Sequence, residues 1–235
     1  MSKGKLFLIP TPISVLSADS MASYHAPYIA EINHYIVEEI KTARRYIKKV
    51  MKDKNIDECT FTLLDKHDHY KADTSYQSLI GEGHNIGIMS EAGTPCIADP
   101  GHIIVMWAQQ HDIEIVPLIG PSAIIMALMA SGLQGQSFSF NGYLPIPSNE
   151  KKEVLHHIIS QIQRYGYTQL FIETPYRNNS LLDFLIQNIP QDLALCLAQD
   201  VTGSEQYIKT KRISEWRKSK TDLKKVPTIF IIGKL

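Results

Sequence analysis

The sequence has 235 residues, 44% hydrophobic and 20% charged, an ordinary globular composition long enough for one large or two modest domains. It excludes a disordered, collagen-like or disulfide-stapled chain. The 24 Lys and Arg balance the 24 Asp and Glu, so no uniformly basic coat points to a polyanionic partner.

Cys59, Cys96 and Cys196 are odd in number and widely spaced, which argues against a disulfide framework and a zinc knuckle. The apolar runs Leu6–Ile9 and Ala123–Ala130 fall far short of the roughly 18 to 20 residues that span a bilayer. A cytoplasmic protein with no membrane partner is expected.

Short Val-, Ile-, Leu- and Phe-rich runs alternate with helical patterns, the rhythm of parallel strands joined by crossover helices. The first half offers strands at Lys5–Ile9, His34–Val37, Thr60–Leu64, Asn85–Met89 and Glu114–Ile119, separated by helices near Met21–Ile32, Glu39–Lys52, Thr74–Gly81 and His102–Gln110. That predicts an open, mostly parallel five-stranded sheet with ligands beyond its carboxyl ends. The stretch GYLPIP, Gly142–Pro147, reads as a boundary, giving domains 1–142 and 143–235. Beyond it come a helix over Glu150–Arg164, a strand at Thr168–Ile172, a helix at Asn178–Ile189, strands at Leu193–Ala198 and Gln206–Thr210, a short helix near Ser214–Lys218 and a strand at Thr228–Ile232. The short gap between the Leu193 and Gln206 strands favours an antiparallel pair, hence a mixed sheet. The fold class is α/β.

Four segments carry candidate chemistry. Pro10-Thr11-Pro12-Ile13 follows the first strand, and no GxGxxG or GxxxxGK[ST] cradle occurs anywhere, so nucleotide-phosphate readings lose their support. Ser90–Gly101, SEAGTPCIADPG, is a strand-end loop in which Gly93 allows close backbone approach. Its Glu91 and Asp99 could bind a ribose or cation, or cap the next helix. Gly120-Pro121-Ser122-Ala123 opens an apolar helix, Ile124–Ala130, whose first N–H groups could hold an anionic group or pack tightly. Leu170–Arg177, LFIETPYR, sets Glu173 at a strand tip, where a general base, a ligand clamp or a helix cap would sit.

His67-Asp68-His69 lacks an evident third ligand and reads as a solvated turn, so no metal is expected. The Glu39–Lys52 helix carries Lys41, Arg44, Arg45, Lys48, Lys49 and Lys52 on one face, opposite Ile40, Ala43, Ile47, Val50 and Met51. Six cations without an interleaved acid exceed what solubility requires and make a candidate substrate surface. Residues 1–149, 150–201 and 202–235 carry net charges of −4, −2 and +6, so the overall zero is a sum of unlike parts.

Taken in order, PTPISVL (Pro10–Leu16), SEAGTPCIADPG (Ser90–Gly101), VPLIGPSA (Val116–Ala123), GYLP (Gly142–Pro145) and ETPYR (Glu173–Arg177) resemble the tetrapyrrole methylase superfamily. The likeness is strongest to the group that methylates a cytidine ribose 2′-hydroxyl of small-subunit ribosomal RNA. The resemblance implies two α/β domains with a cleft between them for S-adenosylmethionine, homodimerisation, and a ribosomal RNA or small ribosomal subunit partner. It places the cofactor against Ile13, Glu91, Gly93, Thr94, Ser122 and Ala123, with Phe171, Ala198, Pro227 and Thr228 completing the pocket. Glu173 and Glu39 are the carboxylates at family-matching positions for a base. The family's E-D-T-R run stands here as Glu39-Ile40-Lys41-Thr42, Glu91 replaces an aspartate, and Val226-Pro227 replaces Gly-Glu. These departures keep open a small-molecule tetrapyrrole methylase and a catalytically silent RNA-binding relative.

Overall fold

The computed structural model describes residues 2–64 and 74–235. His67-Asp68-His69 lies outside the described residues. The chain divides into two compact units, Met1–Ser122 and Ala123–Leu235, rather than at the Gly142 boundary read from the prolines. The apolar helix Ala123–Ser131 packs on the second sheet and the strand Phe138–Tyr143, which runs across that boundary, pairs in it, which moves the division upstream.

In the first unit β1 (Leu6–Ile9), β2 (His34–Val37), β3 (Thr60–Leu63), β4 (Ile86–Met89) and β5 (Ile115–Pro117) form one sheet in the order β3-β2-β4-β1-β5. Every pairing is parallel, as the crossover rhythm predicts. The helices α1 (Val15–Ala30), α2 (Ile40–Val50), α3 (Ser75–Gly81) and α4 (His102–Gln110) make the connections. Alternation along β1 divides the core: Phe7 and Ile9 pack with Met21, Ile29 and Ile47 from α1 and α2, whereas Leu6 packs with Ile80, Ile104 and Ala108 from α3 and α4. Each such buried Leu, Ile, Phe or Met side chain contributes about 1.5–3 kcal/mol of transfer free energy. Helix α1 starts at Val15 and not Met21; Val15 is exposed. Because β1 lies between β4 and β5, its carboxyl-end loop adjoins those of both, at the sheet's topological switch point.

In the second unit β6 (Phe138–Tyr143), β7 (Thr168–Glu173), β8 (Ala194–Gln199), β9 (Tyr207–Arg212) and β10 (Thr228–Gly233) are ordered β6-β7-β10-β8-β9. The β6–β7 pair is parallel and the other three are antiparallel, which makes this the mixed sheet. Phe171, Leu195, Leu197 and Phe230 pack beneath α6 (Ser148–Tyr165), α7 (Asn178–Asn188) and the short α8 (Ile213–Trp216). Leu170, Cys196, Ala198 and Ile231 pack against Ala127 and Leu128 of α5 (Ala123–Ser131). Burial on both faces explains the near-continuous apolar runs of β7, β8 and β10. Strand β6 is one that the sequence pattern does not mark. It is an edge strand, with its residues exposed or only half-buried, so the apolar alternation of a core strand is missing. Among the described residues no helix is long and apolar enough to cross a membrane.

Candidate functional site

The first unit gathers its candidate residues at the carboxyl ends of β1, β4 and β5. Thr11 and Gly93 exchange two backbone hydrogen bonds, Thr11 N–H to Gly93 O at 2.9 Å and Gly93 N–H to Thr11 O at 3.0 Å. The Ser90 hydroxyl donates to the Gly93 carbonyl at 2.6 Å, and the Thr11 hydroxyl to the Ser90 carbonyl at 3.1 Å. Gly93 sits at φ 83°. A Cβ there would stand 3.3 Å from Ile13 Cγ2 and 3.5 Å from the Pro121 carbonyl, so three loops converge on this one glycine. Gly120 is still more constrained: a Cβ would lie 2.2 Å from Pro10 Cβ. The Ser90–Gly101 loop also holds Cys96 at φ 66°, Ala98 at φ 63° and Gly101 at φ 121°. Such left-handed backbone in non-glycine residues costs energy and clusters where ligands bind.

Beside this loop lies a mainly apolar cavity of about 320 Å³, with Leu8, Pro10, Thr94, Cys96, Val105 and Leu118 in its wall. Thr94 is half-buried and Glu91 exposed; the Glu91 N–H donates to Glu38 Oε2 at 2.7 Å. Ser122 closes the first unit and Ala123 opens α5.

Glu39, one of the two expected carboxylate bases, is the N-cap of α2. Its oxygens accept from the backbone N–H groups of Lys41 and Thr42 at 3.0 and 2.5 Å and from the Thr42 hydroxyl at 2.9 Å. Those bonds hold its carboxyl below the usual carboxylate range, the opposite of what a base near neutrality needs. All six cations of the stripe are exposed, although Lys52 lies beyond the C-cap Met51. Arg44 pairs with Asp57 at 3.1 Å and Lys49 with Asp19 at 2.8 Å, while Lys48 donates to the Lys52 carbonyl at 2.9 Å. Among the described residues Lys41 and Arg45 form no ion pair.

In the second unit Glu173, Thr228 and Gln199 stand abreast, Thr228 registered against both neighbours. The buried Thr228 hydroxyl donates to the Val226 carbonyl at 3.0 Å and accepts from Asn178 Nδ2 at 2.9 Å. Gln199 Nε2 reaches the Lys224 carbonyl at 3.2 Å, and Asn178 Nδ2 the Val226 carbonyl at 2.9 Å. Asn178 and Gln199 thus fix the segment leading to Pro227, which is exposed. Sequence reasoning misses both, because each is a single amide in an otherwise ordinary element whose partners lie far along the chain. The Phe171 side chain is fully buried, stacked on Phe230 with centroids 5.8 Å apart. Ala198 is likewise buried, under α5.

Glu173 is also not a free base. Its Oε1 accepts from Arg177 Nη2 at 2.6 Å and from the Thr174 N–H at 2.7 Å. Burial pushes its carboxyl up, but these donors outweigh it and leave the group below the ordinary glutamate range.

The sequence profile described as Tetrapyrrole (Corrin/Porphyrin) Methylases matches residues 27–216. A "Ribosomal RNA small subunit methyltransferase I" of Vibrio cholerae is 32% identical over 210 residues, covering 89% of this chain and 69% of that protein. A protein of the same name from Escherichia coli O157:H7 is 28% identical over 234 residues, covering 98% and 78%. Among solved structures, the methyltransferase CobJ aligns with TM-score 0.59 at 19% identity, over 98% of this chain and 94% of that one. Uroporphyrin-III-C-methyltransferase from Thermus thermophilus aligns at 0.57 and 15%, over 99% and 95%; at such identities the likeness is one of fold. Profile, relatives and paired α/β sheets agree: the chain belongs to the tetrapyrrole methylase family and is a methyltransferase.

Proposed function

We propose that this protein transfers a methyl group from S-adenosylmethionine to a ribose 2′-hydroxyl of small-subunit ribosomal RNA. The observation that carries the reading is the 32% identity to the Vibrio cholerae relative over most of the chain; the exposed cationic face of α2 supports it.

The first unit's strand ends fit such a donor. The loops offer the half-buried Thr94 hydroxyl in the wall of a mostly apolar cavity, with no phosphate cradle, and the donor carries no phosphate. Ile13, Glu91, Gly93, Thr94 and Ser122 are the residues of the first unit assigned to hold it. When bound, the donor supplies a methyl group on a positively charged sulfur. The protein's share is to fix the loops, exclude water and align the hydroxyl. With Glu39 and Glu173 both held as hydrogen-bonded carboxylates, neither is assigned proton abstraction; alignment is assigned the larger part.

The family resemblance also supports a cytoplasmic homodimer. Incubation with labelled donor and small ribosomal subunits lacking the modification tests the function: label in the RNA is expected. Donor binding without incorporation, or a spectral shift on adding a porphyrinogen, overturns the RNA substrate.

A further inference from the structure

The buried pairing of Glu173 leaves Arg177 with a definite orientation. Glu173 keeps only 2% of its side chain accessible whereas Arg177 keeps 40%, so the carboxylate is an internal anchor for a half-buried guanidinium, whose Nη2 meets Glu173 and whose buried Nε has no partner. A rigid, planar cation held this way is preorganised for phosphate or for stacking. The residue before it, Tyr176, is 83% exposed, an unusual placement for a large ring with no packing role. Tyr143, 57% exposed, ends β6 beside Ile172 of β7, the residue that precedes Glu173. Two exposed aromatics and an anchored guanidinium therefore share one corner of the second sheet. The stretches that build it, Gly142–Asn149 and Thr174–Ser180, contain no Asp or Glu. Asp222, which reaches this region from elsewhere, is engaged by the Asn179 amide at 2.6 Å.

Resting on the ribosomal RNA reading above, we infer that Tyr143, Tyr176 and Arg177 form a docking corner for an unpaired nucleotide of the RNA, its base stacking on Tyr176 and a flanking phosphate meeting Arg177. Single-stranded RNA is recognised in this manner, by aromatic faces and guanidinium planes. The corner also explains why Glu173 is buried and ionised: it orients Arg177 and takes no proton from the substrate.

Fluorescence anisotropy with a labelled small-subunit ribosomal RNA fragment, alongside calorimetric titration of S-adenosylmethionine, tests the inference on the wild type, Tyr176→Ala, Tyr176→Phe and Arg177→Lys. Tyr176→Ala is expected to weaken RNA binding about ten-fold with unchanged thermal stability and donor affinity. Tyr176→Phe, which keeps the stacking face, is expected to bind as the wild type does. Arg177→Lys keeps the charge for Glu173 but loses the planar fork, and is expected to weaken RNA binding. Wild-type affinity in Tyr176→Ala overturns the docking corner while leaving the RNA reading intact, as does an equal loss in Tyr176→Phe. Absence of RNA binding by the wild type overturns both.

Discussion

The imidazole of His25 holds the carbonyl of Ile119, Nε2 to O at 2.9 Å. A carbonyl only accepts, so Nε2 carries the proton and Nδ1 accepts from the Tyr46 hydroxyl at 2.7 Å. His25 is completely buried, and through it α1 and the cation-bearing α2 both brace the loop that runs from β5 to Ser122.

Removing this brace by His25→Ala is expected to raise KM for S-adenosylmethionine more than it lowers kcat, because the loop loses its position and not its chemistry. His25→Gln, which retains a donor toward Ile119, should recover part of the affinity. Steady-state kinetics of the two variants decide the matter; an unchanged KM in His25→Ala would mean the loop holds itself.

The same burial predicts a pH dependence. Desolvation depresses the His25 imidazole below its ordinary 6.5, outweighing the opposing bond to Ile119. As pH falls through about 6.5 the unfolded chain therefore binds a proton that the folded chain resists, and stability is lost. His34 is lowered too, by burial and by neighbouring His84, with the same sign. Thermal unfolding should show a falling Tm from pH 7.5 to 5.5, and a shallower fall in His25→Gln. An equal slope in that variant would assign the effect to other groups.

Much of this architecture is legible in the sequence because the central strands of both sheets are buried on both faces. Runs such as Ile86–Met89 and Thr228–Gly233 have no exposed residue, so composition alone marks them. Strand β6 is not legible, since its pairing on the sheet edge leaves a half-exposed pattern and its Gly142 reads as a turn. The strand-end loops are visible through their glycines and prolines, yet what holds them is not: His25 and Ile119 are 94 positions apart, and no local pattern announces such a pair. The roles of Glu39 and Glu173 are hidden for a related reason. A carboxylate at a strand or helix tip looks the same in sequence whether it is free or saturated by donors.

Gly120→Ala is expected to destabilise the first unit by about 1–3 kcal/mol, since the added methyl meets Pro10 Cβ at 2.2 Å, and to weaken donor binding. Urea unfolding and calorimetric titration measure the two effects. Wild-type stability would show that the β1 and β5 loops separate at little cost.

Lys54 is buried, its ammonium donating to the carbonyls of Ile29 at 2.8 Å and Ile32 at 2.6 Å and to Asn33 Oδ1 at 2.8 Å. It closes the carboxyl end of α1, where a cation also suits the helix dipole. Lys54→Met should cost about 2 kcal/mol or more by leaving buried acceptors unpaired. A change within a few tenths of a kcal/mol in denaturant unfolding would exclude that role.

Lys41→Glu combined with Arg45→Glu should weaken RNA binding and flatten its dependence on salt, the logarithmic slope falling by roughly 0.7 for each phosphate that is no longer neutralised. A slope identical to the wild type's would reduce the α2 stripe to a solvated face.

The Thr11–Gly93 bridge carries the pairing of two parallel strands past the end of their sheet and reverses its sense there, for the bridge is antiparallel. At a switch point the strands ordinarily part and leave a fissure into which a ligand can wedge. In this unit one backbone bridge spans that fissure, beside the apolar cavity. In the donor site proposed above, selectivity is consequently assigned to the rim, to what Ile13, Thr94 and the exposed side chain of Glu91 present. Substitutions that alter that rim can change which molecule is admitted without prising the sheet apart.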